Sequence, residues 1–282
     1  MVYSDRSIFT YKANLNDFFC IVHKEFDKIT FEDVEDYVCV LRNKMKNGKR
    51  IISEVTIGNR LATIQRFYNW LIDRKILEEN PVKITIDDSV ENNIFMKKMR
   101  EIPTREELRN MMEVSQHPRD TVCLSLLYNL GMRVSELCDL TASDLDTEKW
   151  EMTINGKGDR NRTVEIPSAC IKPLENWLKY RKAMAVKTDY LIISKFGLRL
   201  ATDYVRKMLK EACERAGVDK HITPHSVRRM FFTNGIEDGV SPKVLQFIAG
   251  QKTSFMIDRY IQFTQMKFSF RNSWRGLDST IC

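Results

Sequence analysis

The chain has 282 residues, 43% of them hydrophobic and 29% charged, which is enough to build sizeable cores and suggests about two domains. Its formal charge of +7 favours a polyanionic partner, and no apolar run approaches the ~18 residues of a membrane span. Nothing after Met1 has the apolar core of a secretory signal, and the seven cysteines are scattered, odd in number and without a Cys-x-x-Cys pair, so they suggest neither a disulfide framework nor a zinc site and suit a reduced, cytoplasmic protein.

Residues 1–85 read as all-helical. Thr30-Phe-Glu-Asp33 has the form of a capping box ahead of Val34, Tyr37, Val38 and Leu41, which recur at helical spacing. From Thr56 to Ile76, the residues Ile57, Leu61, Ile64, Phe67, Tyr68, Leu71 and Ile72 make one apolar stripe, and Phe67, Tyr68 and Trp70 are assigned to the core. From Arg42 to Lys75 nine basic residues face only Glu54 and Asp73, although residues 1–90 together carry no net charge. That segregation fits a DNA-facing side, although the run taken by itself reads first as a solvated basic face; with the second domain present, Lys44, Lys46, Lys49, Arg50, Arg60 and Arg66 become the candidate DNA-phosphate contacts.

Periodicity fails from Val82 to Arg100, where Asp87, Asp88, Asn92 and Asn93 accumulate, so residues 86–100 are assigned as a linker to a second domain over 101–282. Thr104-Arg-Glu-Glu107 is a second capping box, and Thr121 to Leu130 is a strongly apolar helix before a turn at Gly131. Trp150 to Ile154 and Thr163 to Ile166 alternate like strands around Asn155-Gly-Lys-Gly-Asp, with Lys157 at the tip of the hairpin. Arg160 and Arg162 on its return strand are phosphate-contacting or solvated. Tyr190 to Ile193 is a candidate strand, and Asp203 to Ala216 a helix stopped by Gly217. His23, His117 and His221 lack partners at ligand spacing, and there is neither a glycine-rich nucleotide loop nor a carboxylate cluster for Mg²⁺, so no metal or cofactor is expected.

The densest chemistry lies between Lys220 and Gln262. Thr223 and Pro224 suit the cap and first position of a helix, placing His225 and Arg228 on one face near its positive end, a setting for an anion. Gly239 stops it. Ser241-Pro242 opens a second helix with Val244, Leu245 and Ile248 as its apolar residues, stopped at Ala249-Gly250; Gln251 and Tyr260 follow. Phe263, Met266, Phe270, Trp274 and Leu277 then form a helical apolar stripe.

Tyr128-Asn-Leu-Gly-Met-Arg-Val-Ser-Glu-Leu137, together with His225-x-x-Arg228, Gly250-Gln-Lys-Thr-Ser254 and Ile257-Asp-Arg-Tyr260, resembles the two signature boxes of the tyrosine recombinases, the integrase and Xer family. Arg66-Phe-Tyr-Asn-Trp70 and Glu79-Asn80-Pro81 are similar to the family's core-binding domain, so the resemblance covers nearly the whole chain. It implies a mainly α fold with a small β-hairpin or sheet, arranged as a two-domain C-shaped clamp: a helical, SAM-like core-binding domain and a catalytic domain ending in an exchange helix.

The resemblance also implies a metal-free and ATP-free site of Arg133, Lys157, His225, Arg228, Gln251 and Tyr260. Two guanidiniums hold the scissile phosphate, Tyr260 attacks to give a 3′-phosphotyrosyl bond, His225 accepts or positions the proton, and Lys157 protonates the departing 5′-oxygen. Gln251 departs from the family's usual His or Trp; it offers a neutral donor but no acid. The implied partners are double-stranded DNA with a short inverted-repeat core site and further copies of this chain, four in a synapse, joined through the C-terminal helix docked on a neighbour. A second recombinase or an accessory protein is a further partner the family admits, and a membrane is not. Two other readings stay open: a DNA-binding protein of the same fold with impaired catalysis, suggested by Gln251, and a type IB topoisomerase, against which the helical N-terminal unit and His-x-x-Arg argue.

Overall fold

The structure is a computed structural model that describes residues 5–83, 95–99, 101–156, 160–251 and 257–265. It divides into two compact units, Met1–Met96 and Lys97–Cys282.

The first unit is built on α1 (Asp5–Val22), α2 (Phe31–Asn43) and α3 (Glu54–Asp73). Helix α2 begins where Thr30 accepts from the Asp33 N–H at 3.4 Å while the Asp33 carboxylate accepts from the Thr30 N–H at 2.9 Å. Ser53 caps α3 by accepting from the Thr56 N–H. Phe18, Val34, Tyr37, Leu41, Ile57, Ile64 and Tyr68 close the core.

Two expectations need correction here. The unit is not all helix: β1 (Met45–Lys46) and β2 (Lys49–Arg50) form a short antiparallel ribbon. Asn47 and Gly48 turn it with φ of 52° and 71°, the conformation Asn-Gly adopts in a tight hairpin. Trp70 is not core but 49% exposed, with the Arg74 guanidinium 4.6 Å above its ring. Position 70 falls off the 57, 61, 64, 68, 71 series that α3 turns inward.

The second unit places α5 (Pro118–Asn129) at its centre, with Val122, Cys123, Leu124, Leu126 and Leu127 sealed from solvent. Around it lie α4 (Arg105–Glu113), α6 (Val134–Asp139), α7 (Ser168–Ala183), α8 (Thr202–Ala216), α9 (Pro224–Glu237) and α10 (Pro242–Ala249). The strands β3 (Leu145–Asp146), β4 (Glu151–Gly156) and β5 (Arg160–Glu165) form an antiparallel sheet in chain order, with Ile154 opposite Arg162. Residues 257–265 are helical, as are 95–99, which lie inside the stretch read as aperiodic.

Helix α7 has no counterpart among the elements expected from the sequence. Its Trp177 is fully buried and donates its indole N–H to the Leu191 carbonyl at 2.8 Å, which fixes the segment after Tyr190. That segment makes isolated bridges, Tyr190 with Thr141 and Ile193 with Arg199, and is not a strand. Gly131 turns the chain from α5 into α6 at φ +54°, and a Cβ there would lie 2.5 Å from the Phe231 ring. Glycine is therefore required both for the turn and for the approach of α9. Val244, assigned to an apolar side, is 47% exposed, and Leu245 and Ala249 are the residues of α10 buried in the interior, with Ile248 packed against it. Among the described residues no helix is long and apolar enough to cross a membrane.

Candidate active site

Arg133 stands at the N-cap of α6, and its own N–H donates to Glu136 at 3.0 Å. Its guanidinium meets Glu136 again at 2.7 Å and donates to the Gly250 carbonyl at 3.0 Å, while 40% of the side chain stays open to solvent. Glu136 is buried and also pairs with Arg162 at 3.0 Å, and Arg162 in turn donates to the Ile248 carbonyl at 2.7 Å. Burial works to raise the Glu136 pKa, but the Arg162 hydrogen bond, the Arg133 N–H and both positive charges outweigh it and hold the carboxyl below its ordinary range. An ionised Glu136 therefore ties β5 and α6 to the end of α10.

Gly250 lies at that end, at φ +60°, and a Cβ on it would come within 2.6 Å of the Arg162 guanidinium. The left-handed turn and the packed cation both require glycine.

Helix α9 starts as the sequence predicts. Thr223 accepts from the Ser226 N–H at 3.2 Å and Pro224 occupies the first turn. Arg228 is buried and donates to the Gly131 carbonyl, to the Ala249 carbonyl at 2.8 Å and to the Gln251 Oε1 at 2.9 Å. Burial first, and then repulsion from Arg133, push its pKa down to about 10, so it stays charged at neutral pH. The two arginines thus converge on three consecutive residues, 249, 250 and 251. Beside them opens a cleft of about 940 Å³ lined by Arg133, Glu136, Asn155, Arg162, Gln246 and Gln251, among others.

His225 is at the surface, three residues before Arg228 and one turn before Arg229. Its pKa is pushed down to about 4 by desolvation first and then by Arg229, Arg228, Lys98 and Arg133, which makes the imidazole neutral at physiological pH. Tyr260, within the helical residues 257–265, is only 4% exposed. Its ring stacks on Phe232 at 5.3 Å and 7°, and its phenol hydrogen-bonds Arg229. Desolvation raises the Tyr260 pKa, with Arg229 and Arg228 opposing it.

Lys157 and the side chain of Arg160 lie outside the described residues, as do Met266, Phe270, Trp274 and Leu277. Arg162 is not solvated: it is 7% exposed and paired with Glu136. Arg60 is part-buried and pairs with Asp17, which also accepts from the Tyr37 hydroxyl at 3.0 Å. Lys44 lies 3.8 Å from Asp17, Arg50 pairs with Glu54 at 2.9 Å, and Arg66 bonds the Tyr11 hydroxyl at 2.5 Å, all on the surface of their unit. Lys46 and Lys49 project from the exposed ribbon.

Sequence reasoning missed Glu136, Arg229 and Asp17. Glu136 had a local signal, since it stands three residues after Arg133 where an acid closes a capping box. Arg229 had one too, being one turn beyond His225. Asp17 had none, because it enters the basic segment from another helix.

Residues 101–266 match the phage integrase family, and residues 2–78 match the SAM-like N-terminal domain of phage integrases. The chain belongs to the phage integrase family. It is a tyrosine recombinase, a DNA strand-transferring enzyme that cuts and rejoins its substrate, and of Xer-like type. A tyrosine recombinase of Pseudothermotoga lettingae is 26% identical to it over 275 residues, 95% of this chain and 92% of that protein. The tyrosine recombinase XerC of Listeria innocua serovar 6a is 26% identical over 274 residues, 93% of this chain and 89% of that one. Among solved structures, XerH site-specific recombinase bound to a palindromic difH substrate superposes with a TM-score of 0.73 at 21% identity, covering 95% of the recombinase and 80% of that chain. A lambda integrase dimer bound to a COC′ core site gives 0.66 at 16%, covering 92% and 72%. The mainly helical fold with small sheets, expected from the motifs, is the fold of these proteins.

Proposed function

We propose that Arg133, Lys157, His225, Arg228, Gln251 and Tyr260 carry the strand transfer of this recombinase, acting on an inverted-repeat core site in duplex DNA. The observation that carries this reading is the convergence of Arg133 and Arg228 on residues 249–251. Charge that builds on the non-bridging oxygens in the transition state needs forked donors that are already in place, and two fixed guanidiniums supply them. The Tyr260 phenol loses its proton, its oxygen bonds to phosphorus, and the bond from phosphorus to the 5′-oxygen breaks. Lys157 gives that oxygen a proton. The 3′-phosphotyrosyl bond keeps the energy of the original linkage, so attack by another strand's 5′-hydroxyl rejoins the DNA with neither ATP nor a metal ion.

Surrounded by cations, His225 is a weak base at rest. A bound phosphate brings negative charge among those cations, offsets their repulsion and makes the imidazole a better proton acceptor. Gln251 gives its oxygen to Arg228, which leaves its amide N–H groups to donate to the phosphate.

In the first unit Lys44, Lys46, Lys49, Arg50 and Arg66 would contact phosphates, with Arg160 joining them from the second; Arg60 and Arg162, both largely shielded and paired with a carboxylate, are left out of this set. The XerH and lambda integrase structures, each on its DNA, support duplex core-site binding by more than one copy. We further infer that the stripe from Phe263 to Leu277 seats on a neighbouring protomer, because large apolar side chains each gain roughly 1.5–3 kcal/mol on burial and a head-to-tail exchange closes as a ring of four. An enzyme that works on chromosomal or element DNA belongs in the cytoplasm. Arg133→Ala and Arg228→Ala are each expected to lower single-turnover cleavage by at least ~10²-fold while weakening binding less, as for any preorganised transition-state donor. Cleavage at near wild-type rates in both variants would dismantle the assigned clamp.

A further inference from the structure

Arg229 is a buried cation of the second unit that the phosphate clamp does not use. It is 9% exposed, lies on α9 between the clamp residue Arg228 and the buried Phe232, and hydrogen-bonds the phenol of Tyr260. Helical geometry explains how it gets there. Residues 225, 229 and 232 fall three and four apart, so His225, Arg229 and Phe232 follow one ridge of the helix. Phe232 presents its face to the Tyr260 ring at 5.3 Å, nearly parallel at 7°, so the tyrosine cannot slide along α9 without losing the stack. The Arg228 guanidinium lies 5.4 Å from the Phe232 centroid and commits donors of Nη1 and Nη2 to Gly131, Ala249 and Gln251, which leaves the rest of its fork for the phosphate. The two consecutive arginines therefore divide the work: Arg228 faces residues 249–251, and Arg229 faces the tyrosine.

We propose that Arg229 is a third guanidinium of the reaction, directed at the nucleophile, where it orients the Tyr260 ring and stabilises the phenoxide that forms as the proton leaves. The proposal rests on Tyr260 being the nucleophile. Arg229 takes no proton itself, since a guanidinium is charged at every working pH. The proton goes to the acceptor assigned above, His225, and the electron pair left on oxygen makes the bond to phosphorus. A phenol buried against an aromatic ring is a poor nucleophile, because desolvation penalises its anion. A fixed cation at the same oxygen offsets that penalty. The charged groups facing the phenol are Arg229 and Arg228 from α9 and Arg259 from its own helical segment.

The test measures the phenol directly and needs no DNA. The full chain is labelled with 3-fluorotyrosine, the Tyr260 resonance is assigned by its loss in Tyr260→Phe, and its fluorine shift is followed through a pH titration. In Arg229→Gln, which keeps a neutral donor, the Tyr260 midpoint is expected to rise by about one pH unit, the usual effect of removing an adjacent opposite charge. In Arg229→Lys, which keeps the charge but not the fork, it is expected to rise by less. A midpoint unmoved in whichever of these variants folds overturns the proposal. A resonance that shifts as expected while Tyr260→Phe still forms a covalent adduct with DNA would instead overturn the nucleophile assignment and leave the Arg229 contact standing.

Discussion

Glu136 accepts from the Arg133 backbone, the Arg133 side chain and Arg162 at once, and is itself almost wholly shielded from water. A buried acid is costly to desolvate, so its net worth lies in what happens when one partner is removed. Glu136→Gln leaves the buried Arg162 guanidinium without a counter-charge, and such a loss destabilises by roughly 3–5 kcal/mol. The pH dependence has a defined sign. Because the folded state holds the Glu136 pKa below 4.5, its contribution is complete above that value and is lost as pH falls through the lower, folded one. Urea unfolding is expected to show the variant well below wild type at neutral pH, with the gap closing on acidification. Equal stability at neutral pH would mean that the three contacts are not holding α6, β5 and α10 together.

At the scale of elements, the β1–β2 ribbon and helix α3 separate two kinds of basic residue that look alike in a sequence. Lys46 and Lys49 stand on a two-residue-per-strand ribbon with exposed side chains, whereas Arg60 turns inward to Asp17. Neutralising the ribbon pair with Lys46→Gln and Lys49→Gln is expected to flatten the dependence of log K for DNA on log salt, by about 0.9 for each phosphate that is no longer neutralised. Arg60→Gln is expected to lower the stability of the unit and leave that slope alone. An unchanged slope in the double variant would return the ribbon to an ordinary solvated surface. Helix α9 shows the same division within one element, since consecutive residues Arg228 and Arg229 meet different partners.

Across the whole chain, the features legible in the sequence are those that depend on near neighbours. The caps at Thr30, Thr104 and Thr223 and the stops at Gly217, Gly239 and Gly250 are local, and each begins or ends a helix where its residue type predicts. Long-range pairing is not legible: Arg60 with Asp17 and Arg162 with Glu136 join distant segments, so a count of charges in a window mistakes bound cations for free ones. Helix α7 is obscured by Pro173 within it, although Cys170, Leu174 and Trp177 recur at helical spacing on its buried side. Motif spacing points to the site residues, while the contacts that hold Arg228 and Tyr260 emerge only from the fold. The most direct measurement of the central claim is covalent trapping on a nicked duplex carrying the site that this protein selects from random DNA. Wild type is expected to give a denaturant-resistant adduct joined through a 3′-phosphate, and Tyr260→Phe to bind the same duplex with no adduct. An adduct that persists in Tyr260→Phe would contradict it and place the nucleophile elsewhere in the chain.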